Sequence, residues 1–237
     1  MSALRRRLLV PTATSAFFFV ALVALGVWQL YRLRWKEGIL AQIAVSEAAP
    51  PVPLTRTPPR YTRVIVKGHF LPGFAALYGD STRDGKVGLV IGADVLALLV
   101  RDGAPPILVD RGWVPVPVNG RAPLPPAGEV SVVGYVQHTE AAGLFTPQDD
   151  PSAGRVYALN PARIAAEFHL PKPADIAVVV MGDVPPGPVS REATEPVPAP
   201  HLPRPPNNHL EYAMTWFALA VALVIIYTSY VRRMLRE

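Results

Sequence analysis

Two stretches of this 237-residue chain hold no charged side chain: residues 8–31, 24 in all, and residues 212–231, 20 in all. At about 1.5 Å rise per residue they reach roughly 36 and 30 Å as helices, against a hydrocarbon core about 30 Å thick. Each is predicted to be a transmembrane helix. Half of all residues are apolar and only 17% are charged, which is oily for a freely soluble domain.

The net charge of +5 invites a nucleic-acid reading until it is divided by position. Arg5, Arg6, Arg7, Arg32, Arg34 and Lys36 flank the first stretch, and Arg232, Arg233 and Arg236 follow the second. With Glu237 as the one acid in these tails, the ends hold +8, while residues 37–211 carry 14 basic and 17 acidic side chains, or −3. The basic excess therefore belongs to membrane anchoring, membrane lipid is an expected partner, and nucleic acid is rejected. Basic residues beyond both outer ends favour two cytoplasmic termini and a translocated middle, although Arg32, Arg34 and Lys36 weaken the contrast. The alternative for the first stretch is a cleaved leader with Ala24-Leu25-Gly26 as its small-residue site, but the run is long for a leader.

Between the two spans (8–31 and 209–231) the expected organisation is a Pro-rich linker at 49–60, a domain at 61–183 and a second Pro-rich linker at 184–206. Residues 37–46 can continue the first helix, whereas five prolines within 49–60 forbid helix and central strand. Short runs rich in Val, Ile and aromatics at 63–70, 75–78, 87–91, 107–114, 130–136, 155–158 and 176–181 read as strands, with a hairpin turn at 81–86 centred on Asp84-Gly85. A helix is predicted from Pro161 to about Phe168, capped by Asn160. Nine prolines in 184–206 read as a semi-rigid tether of polyproline type. The fold class is thus an α+β membrane protein, two transmembrane helices flanking a β-rich antiparallel extramembrane domain with one or two short helices.

Chemistry is sparse. With no cysteine, the chain has no disulfide framework, thiolate nucleophile, Cys-ligated zinc or Fe–S cluster. It lacks a Gly-rich phosphate loop, a G-x-S-x-G elbow and an H-E-x-x-H motif, and no catalytic residue is assigned. Asp149-Asp150 before Pro151 would be all that supports a membrane-tethered hydrolase, and a structural turn is the better reading. His69, His138, His169 and His201 show no metal-ligand spacing.

His209 stands apart by position. Asn208-His209-Leu210-Glu211 resembles a capping box opening the second span, and His209, Tyr212, Ala213, Trp216 and Ala220 fall on one helical stripe. An imidazole flanked by aromatics with small residues below suits a flat apolar macrocycle holding iron. An ordinary interfacial belt explains the same residues, and on the stripe alone the belt is favoured. Trp28, Gln29, Arg32 and Trp35 lie at the outer end of the first span, as belt residues or as the place where the two helices meet. Asp110-Arg111-Gly112-Trp113 ends a strand, with Asp110 and Arg111 as a local ion pair over a packed Trp113, or with Arg111 and Trp113 as a docking surface.

These residues carry a resemblance. Leu25-Gly26-Val27-Trp28-Gln29 with Arg32, Trp35 and Lys36, the strand Arg63, Val64, Val66, Gly68 and Phe70, the motif Val109-Asp110-Arg111-Gly112-Trp113-Val114-Pro115, and Asn207-Asn208-His209-Leu210-Glu211-Tyr212-Ala213-Met214-Thr215-Trp216-Phe217 are similar, in order, to signatures of the surfeit locus protein one family. Where that family's pattern has an Asn-Asp turn and a Trp-bearing strand, this chain has Gln148-Asp149-Asp150-Pro151 and then Tyr157. The resemblance implies a non-enzymatic assembly factor of haem-copper cytochrome c oxidase in the inner membrane of a bacterium, with a periplasmic central domain. It implies haem A as a transient cargo with His209 as axial ligand, Tyr212 and Trp216 near the site, cytochrome c oxidase subunit one as partner, and haem A synthase as a candidate second partner. That implication reverses the preference for the belt. A haem-free scaffold that holds oxidase subunits during assembly is the alternative.

If residues 8–31 are an anchor, amino-terminal sequencing of the mature protein will read from before Leu8. A mature chain beginning near Val27 would mark the stretch as a leader instead.

Overall fold

Lipid offers no hydrogen-bond partners, so a chain that crosses it must close its backbone bonds within itself, and both long apolar stretches do so as helices. The computed structural model describes residues 3–56, 58–116, 120–184 and 187–236. Thr57, Pro185 and Pro186 of the Pro-rich segments, Glu237, and the side chains of Arg5, Arg6 and Arg7 lie outside the described residues. In order the elements are α1 (Ala3–Ala48), β1 (Val52–Pro53), β2 (Arg63–Phe70), β3 (Ala76–Asp84), β4 (Leu89–Arg101), β5 (Ala104–Pro115), β6 (Glu129–His138), β7 (Arg155–Val156), α2 (Pro161–Glu167), β8 (Ile176–Val180) and α3 (His209–Met234). They fall into two units, residues 1–42 with 204–237, and residues 43–203.

The first unit is a helical hairpin. α1 runs for 46 residues and α3 for 26, each long and apolar enough to cross a membrane. Their contacts pair early residues of one helix with late residues of the other: Thr12 with Tyr227, Gly26 with Phe217, Gln29 with His209. Thr12 Oγ1 donates to the Leu8 carbonyl at 2.7 Å, so the Tyr227 hydroxyl, 2.5 Å away, donates to Thr12. Gly26 is buried, and a Cβ there would lie 2.6 Å from the Phe217 ring, so this glycine seats the aromatic against α1. The capping box does not form. Asn208 precedes α3 but its side chain makes no capping bond; its carbonyl accepts from the Tyr212 N–H, and Glu211 meets the helix dipole from the first turn.

The second unit is a sheet that closes on itself. β2 pairs with β6, β6 with β8, β8 with β5, β5 with β4, and β4 returns to β2 through His69–Val100 and Phe70–Leu99. The interior of this five-stranded ring is apolar, with Val64, Val66 and Phe70 from β2, Ala97 and Leu99 from β4, Ile107 and Val109 from β5, Val132 and Val136 from β6, and Val178 from β8. Most pairings are antiparallel, but β5–β8, β1–β2 and β3–β7 are parallel.

Several local expectations shift. The segment 92–101, absent from the expected strands, is most of β4. Ala97 and Leu99 fill the ring while Leu96 and Leu98 face outward under α2, where Ile164 and Leu159 cover them. A strand buried on both faces shows no alternation of polar and apolar residues, so period-two reading passes over it. The hairpin turn is centred two residues later than expected, on Lys86-Val87: Asp84 still pairs with Leu89, and the Gly85 N–H closes on the Gly88 carbonyl. α2 forms as read, with Asn160 Oδ1 accepting from the Arg163 N–H at 3.1 Å and Ile164 and Ala165 buried. The Pro-rich segments are not free tethers. Val52–Pro53 adds a short edge strand to β2, and residues from 189 to 199 bridge to Gly85, Trp113 and Met181. Proline is tolerated there because an edge asks for few N–H donors.

Gly112 shows why β5 accepts that last segment. Its φ is +114°, and a Cβ would stand 2.2 Å from the Val197 carbonyl oxygen, a backbone atom that cannot step aside. Trp113 and Val197 exchange both backbone hydrogen bonds beside it, at 2.9 and 2.8 Å. Gly112→Ala is expected to destabilise the chain by more than about 2 kcal/mol, read as a lowered thermal-unfolding midpoint by circular dichroism, with Gly103→Ala as the turn-glycine comparison.

Candidate functional site

α3 begins at His209, so its imidazole stands on the first turn, half-buried. Nδ1 of that ring lies 2.7 Å from Oε1 of Gln29 on α1. An amide oxygen can only accept, so Nδ1 carries the proton and donates. Among the described residues, Nε2 of His209 has no hydrogen-bond partner. Along the helical stripe below it, Ala213 and Ala220 are buried, Trp216 is half-buried, and Tyr212 is 56% exposed.

The other residues singled out at this level separate into groups. Arg32 places its guanidinium 4.5 Å from the centre of the Trp35 ring, a cation–π pair within α1. Trp28 and Trp35 are 52% and 54% exposed, open to whatever surrounds the helix. No hydrogen bond among the described residues joins Tyr212 or Trp216 to His209. Of all the candidates, Gln29 is the one brought to the imidazole. Its partnership was not readable from spacing, since the two residues are 180 apart in the chain. The available signal was a polar side chain within an apolar span, since lipid leaves such a group to find a partner on another helix.

The strand-end motif reads differently in three dimensions. Trp113 is fully buried, with the Arg83 guanidinium 4.9 Å from its ring centre and the Gly92 backbone pressed against the indole, so it offers no docking surface. The expected ion pair between Asp110 and Arg111 does not form either. Arg111 donates to the Pro123 carbonyl at 2.8 Å and lies over the Phe70 ring, while Asp110 accepts from the Gly112 N–H at 2.9 Å. Neighbouring side chains on a strand point to opposite faces, which keeps this pair apart. Arg111 remains half-exposed.

Asp149 and Asp150 are both committed. Asp149 Oδ1 accepts from the Tyr157 N–H at 2.6 Å, and Oδ2 sits 2.9 Å from Arg163 as a charge contact whose angle falls short of a hydrogen bond. Asp150 Oδ1 accepts from the Ser152 N–H, the Ser152 hydroxyl and the Ala153 N–H, a self-contained turn. A cleft of about 960 Å³ in the sheet unit, between Leu54, Arg101, His138 and Ile176, is lined by none of the sequence-predicted site residues.

Comparison with known proteins returns a coherent set. The family model described as "SURF1 family" matches residues 16–221. A SURF1-like protein of Rickettsia conorii is 28% identical over 230 residues, covering 91% of this chain and 88% of the relative. One from Rickettsia felis is 28% identical over 92% of this chain and 95% of its own length. Surfeit locus protein 1 of Homo sapiens is 28% identical over 86% of this chain and 71% of its own.

Asp110 yields a prediction for this motif. Burial pushes its carboxyl up to about 8, the neighbouring Asp94 charge adds to the rise, and the Gly112 N–H and Arg83 pull it back. Asp94 is raised as well, mainly by burial. Folded Asp110 thus keeps a proton that the unfolded chain surrenders, so its contribution to stability is whole below about pH 4 and is lost as pH rises towards about 8. Denaturation midpoints of wild type should fall across that window, and Asp110→Asn should flatten the decline. A slope unchanged by Asp110→Asn would assign it to other groups.

Proposed function

The chain belongs to the SURF1 family, known for cytochrome c oxidase assembly, and from that premise we propose that it carries haem A transiently and helps insert it into the oxidase's haem-bearing subunit. The protein is a membrane protein with two helices able to span a bilayer. The proposal places it in a bacterial inner membrane, with both termini cytoplasmic, and gives it no catalytic step.

One observation carries the cargo assignment. His209 opens α3 with Nδ1 engaged by Gln29 and with Nε2 unpartnered among the described residues. A haem iron supplies a Lewis acid that takes a neutral imidazole lone pair, and Nε2 is the atom that can offer one. The residues therefore fit the group. Trp216 and Tyr212 stand on the same side of α3 as His209 and bring aromatic rings to that side, beside the buried Ala213.

A single histidine is consistent with a carrier, because a second strong axial ligand would raise the barrier to release. The sheet unit, with half-exposed Arg111, supplies protein surface for oxidase subunit one or for haem A synthase. A haem-free scaffold would use the same surfaces without His209.

Protein purified in detergent from cells that make haem A should show a Soret band, and His209→Ala should lose most of it. Equal haem content in that variant would remove His209 from the site. Undiminished copurification of haem-free protein with the oxidase subunit would favour the scaffold.

A further inference from the structure

The haem reading concerns which atom binds; the structure also bears on what keeps that atom ready. We propose that Gln29 is the positioning residue of His209: by accepting the Nδ1–H it confines the ring to the tautomer whose Nε2 lone pair is free, and it fixes the direction in which that lone pair points. The proposal rests on the reading that His209 meets the haem iron.

A neutral imidazole has one N–H and one lone pair, and the bond made by one nitrogen decides the state of the other. Oε1 of Gln29 has no proton to give, so at 2.7 Å it must receive one from Nδ1. Free histidine in water prefers the opposite tautomer, with the proton on Nε2, where it would block a metal. The contact therefore selects against the solution preference. It also ties a ring on α3 to α1, so the ring's orientation depends on the helix pairing set by the Gly26–Phe217 contact and the Thr12–Tyr227 bond.

The choice of an amide has a second effect. A carboxylate in this place would draw the Nδ1 proton towards itself and make Nε2 a stronger donor, as in carboxylate–histidine–metal arrangements. A neutral amide orients the ring while leaving the donor moderate, which suits a cargo that must leave. No carboxylate bonds to His209 among the described residues.

The test uses the full chain in detergent micelles. With ¹⁵N-labelled histidine and no haem, long-range proton–nitrogen correlation at mildly alkaline pH reports the tautomer of each neutral ring, and His209→Ala identifies the His209 signals by their loss. Wild type is expected in the Nδ1–H form, Gln29→Leu shifted towards the Nε2–H form, and Gln29→Glu back in the Nδ1–H form. Optical titration with iron protoporphyrin IX as probe should show affinity reduced at least about tenfold in Gln29→Leu and restored in Gln29→Glu. Glutamate should also slow transfer of the porphyrin to apomyoglobin. An Nε2–H tautomer in wild type, or a tautomer and affinity unmoved by Gln29→Leu, would overturn the proposal. Porphyrin affinity unmoved by His209→Ala would instead overturn the premise, whatever Gln29 does.

Discussion

Two helices in hydrocarbon gain almost nothing by hiding apolar surface from one another, since lipid is as apolar as they are. What joins α1 to α3 must be close fit and a few polar contacts, and the structure supplies one near each end. Phe217 lies where Gly26 has no side chain, Tyr227 donates to Thr12, and His209 donates to Gln29. Replace that glycine with a larger residue and the aromatic must swing away, loosening the helix that carries the imidazole. The candidate site is in this sense a product of helix packing, and the packing depends on an absent side chain.

The sheet unit solves a different problem by a different means. Its five-stranded ring leaves no edge among β2, β6, β8, β5 and β4, and ring closure gives an apolar interior built of Val, Ile, Leu and Phe. Among the described residues the buried polar side chain is Asp110, next to Val109 on β5, 6% exposed and held by the N–H of Gly112, the glycine that admits Val197. A carboxyl in that position is tolerable because it can stay protonated, and its cost appears as a pH dependence in place of an unpaired charge.

The membrane helices were legible because lipid imposes length and uncharged composition together. α2 was legible because Asn160, Pro161 and the spacing of Ile164, Ala165 and Phe168 agree on one start and one face. β4 was missed for the reason that makes it central: covered on both sides, it has no polar face to set a rhythm. The Pro-rich residues 189–199 read as a tether because proline excludes helix, while sequence says little about bridges that an extended chain makes to a sheet. At the candidate site, His209 could be named from its place at the head of an apolar helix. Gln29 could be named as a neighbour of Trp28, but pairing residues on separate helices needs the rotation and depth of both, which composition does not encode. Trp113 reads from sequence either as a packed ring or as a docking surface, and the missing side chain of Gly92, distant in the chain, makes room to bury it.

The bond between Gln29 and His209 joins the first element of the chain to the last. A ribosome delivers α1 long before α3, and the whole of the sheet unit is synthesised between them. Until the final helix is in place, Gln29 has no imidazole to orient, and no partly made chain possesses the site. If the chain is the carrier proposed above, the order of synthesis has a consequence: a chain that ends between α1 and His209 keeps the first apolar helix but lacks the imidazole.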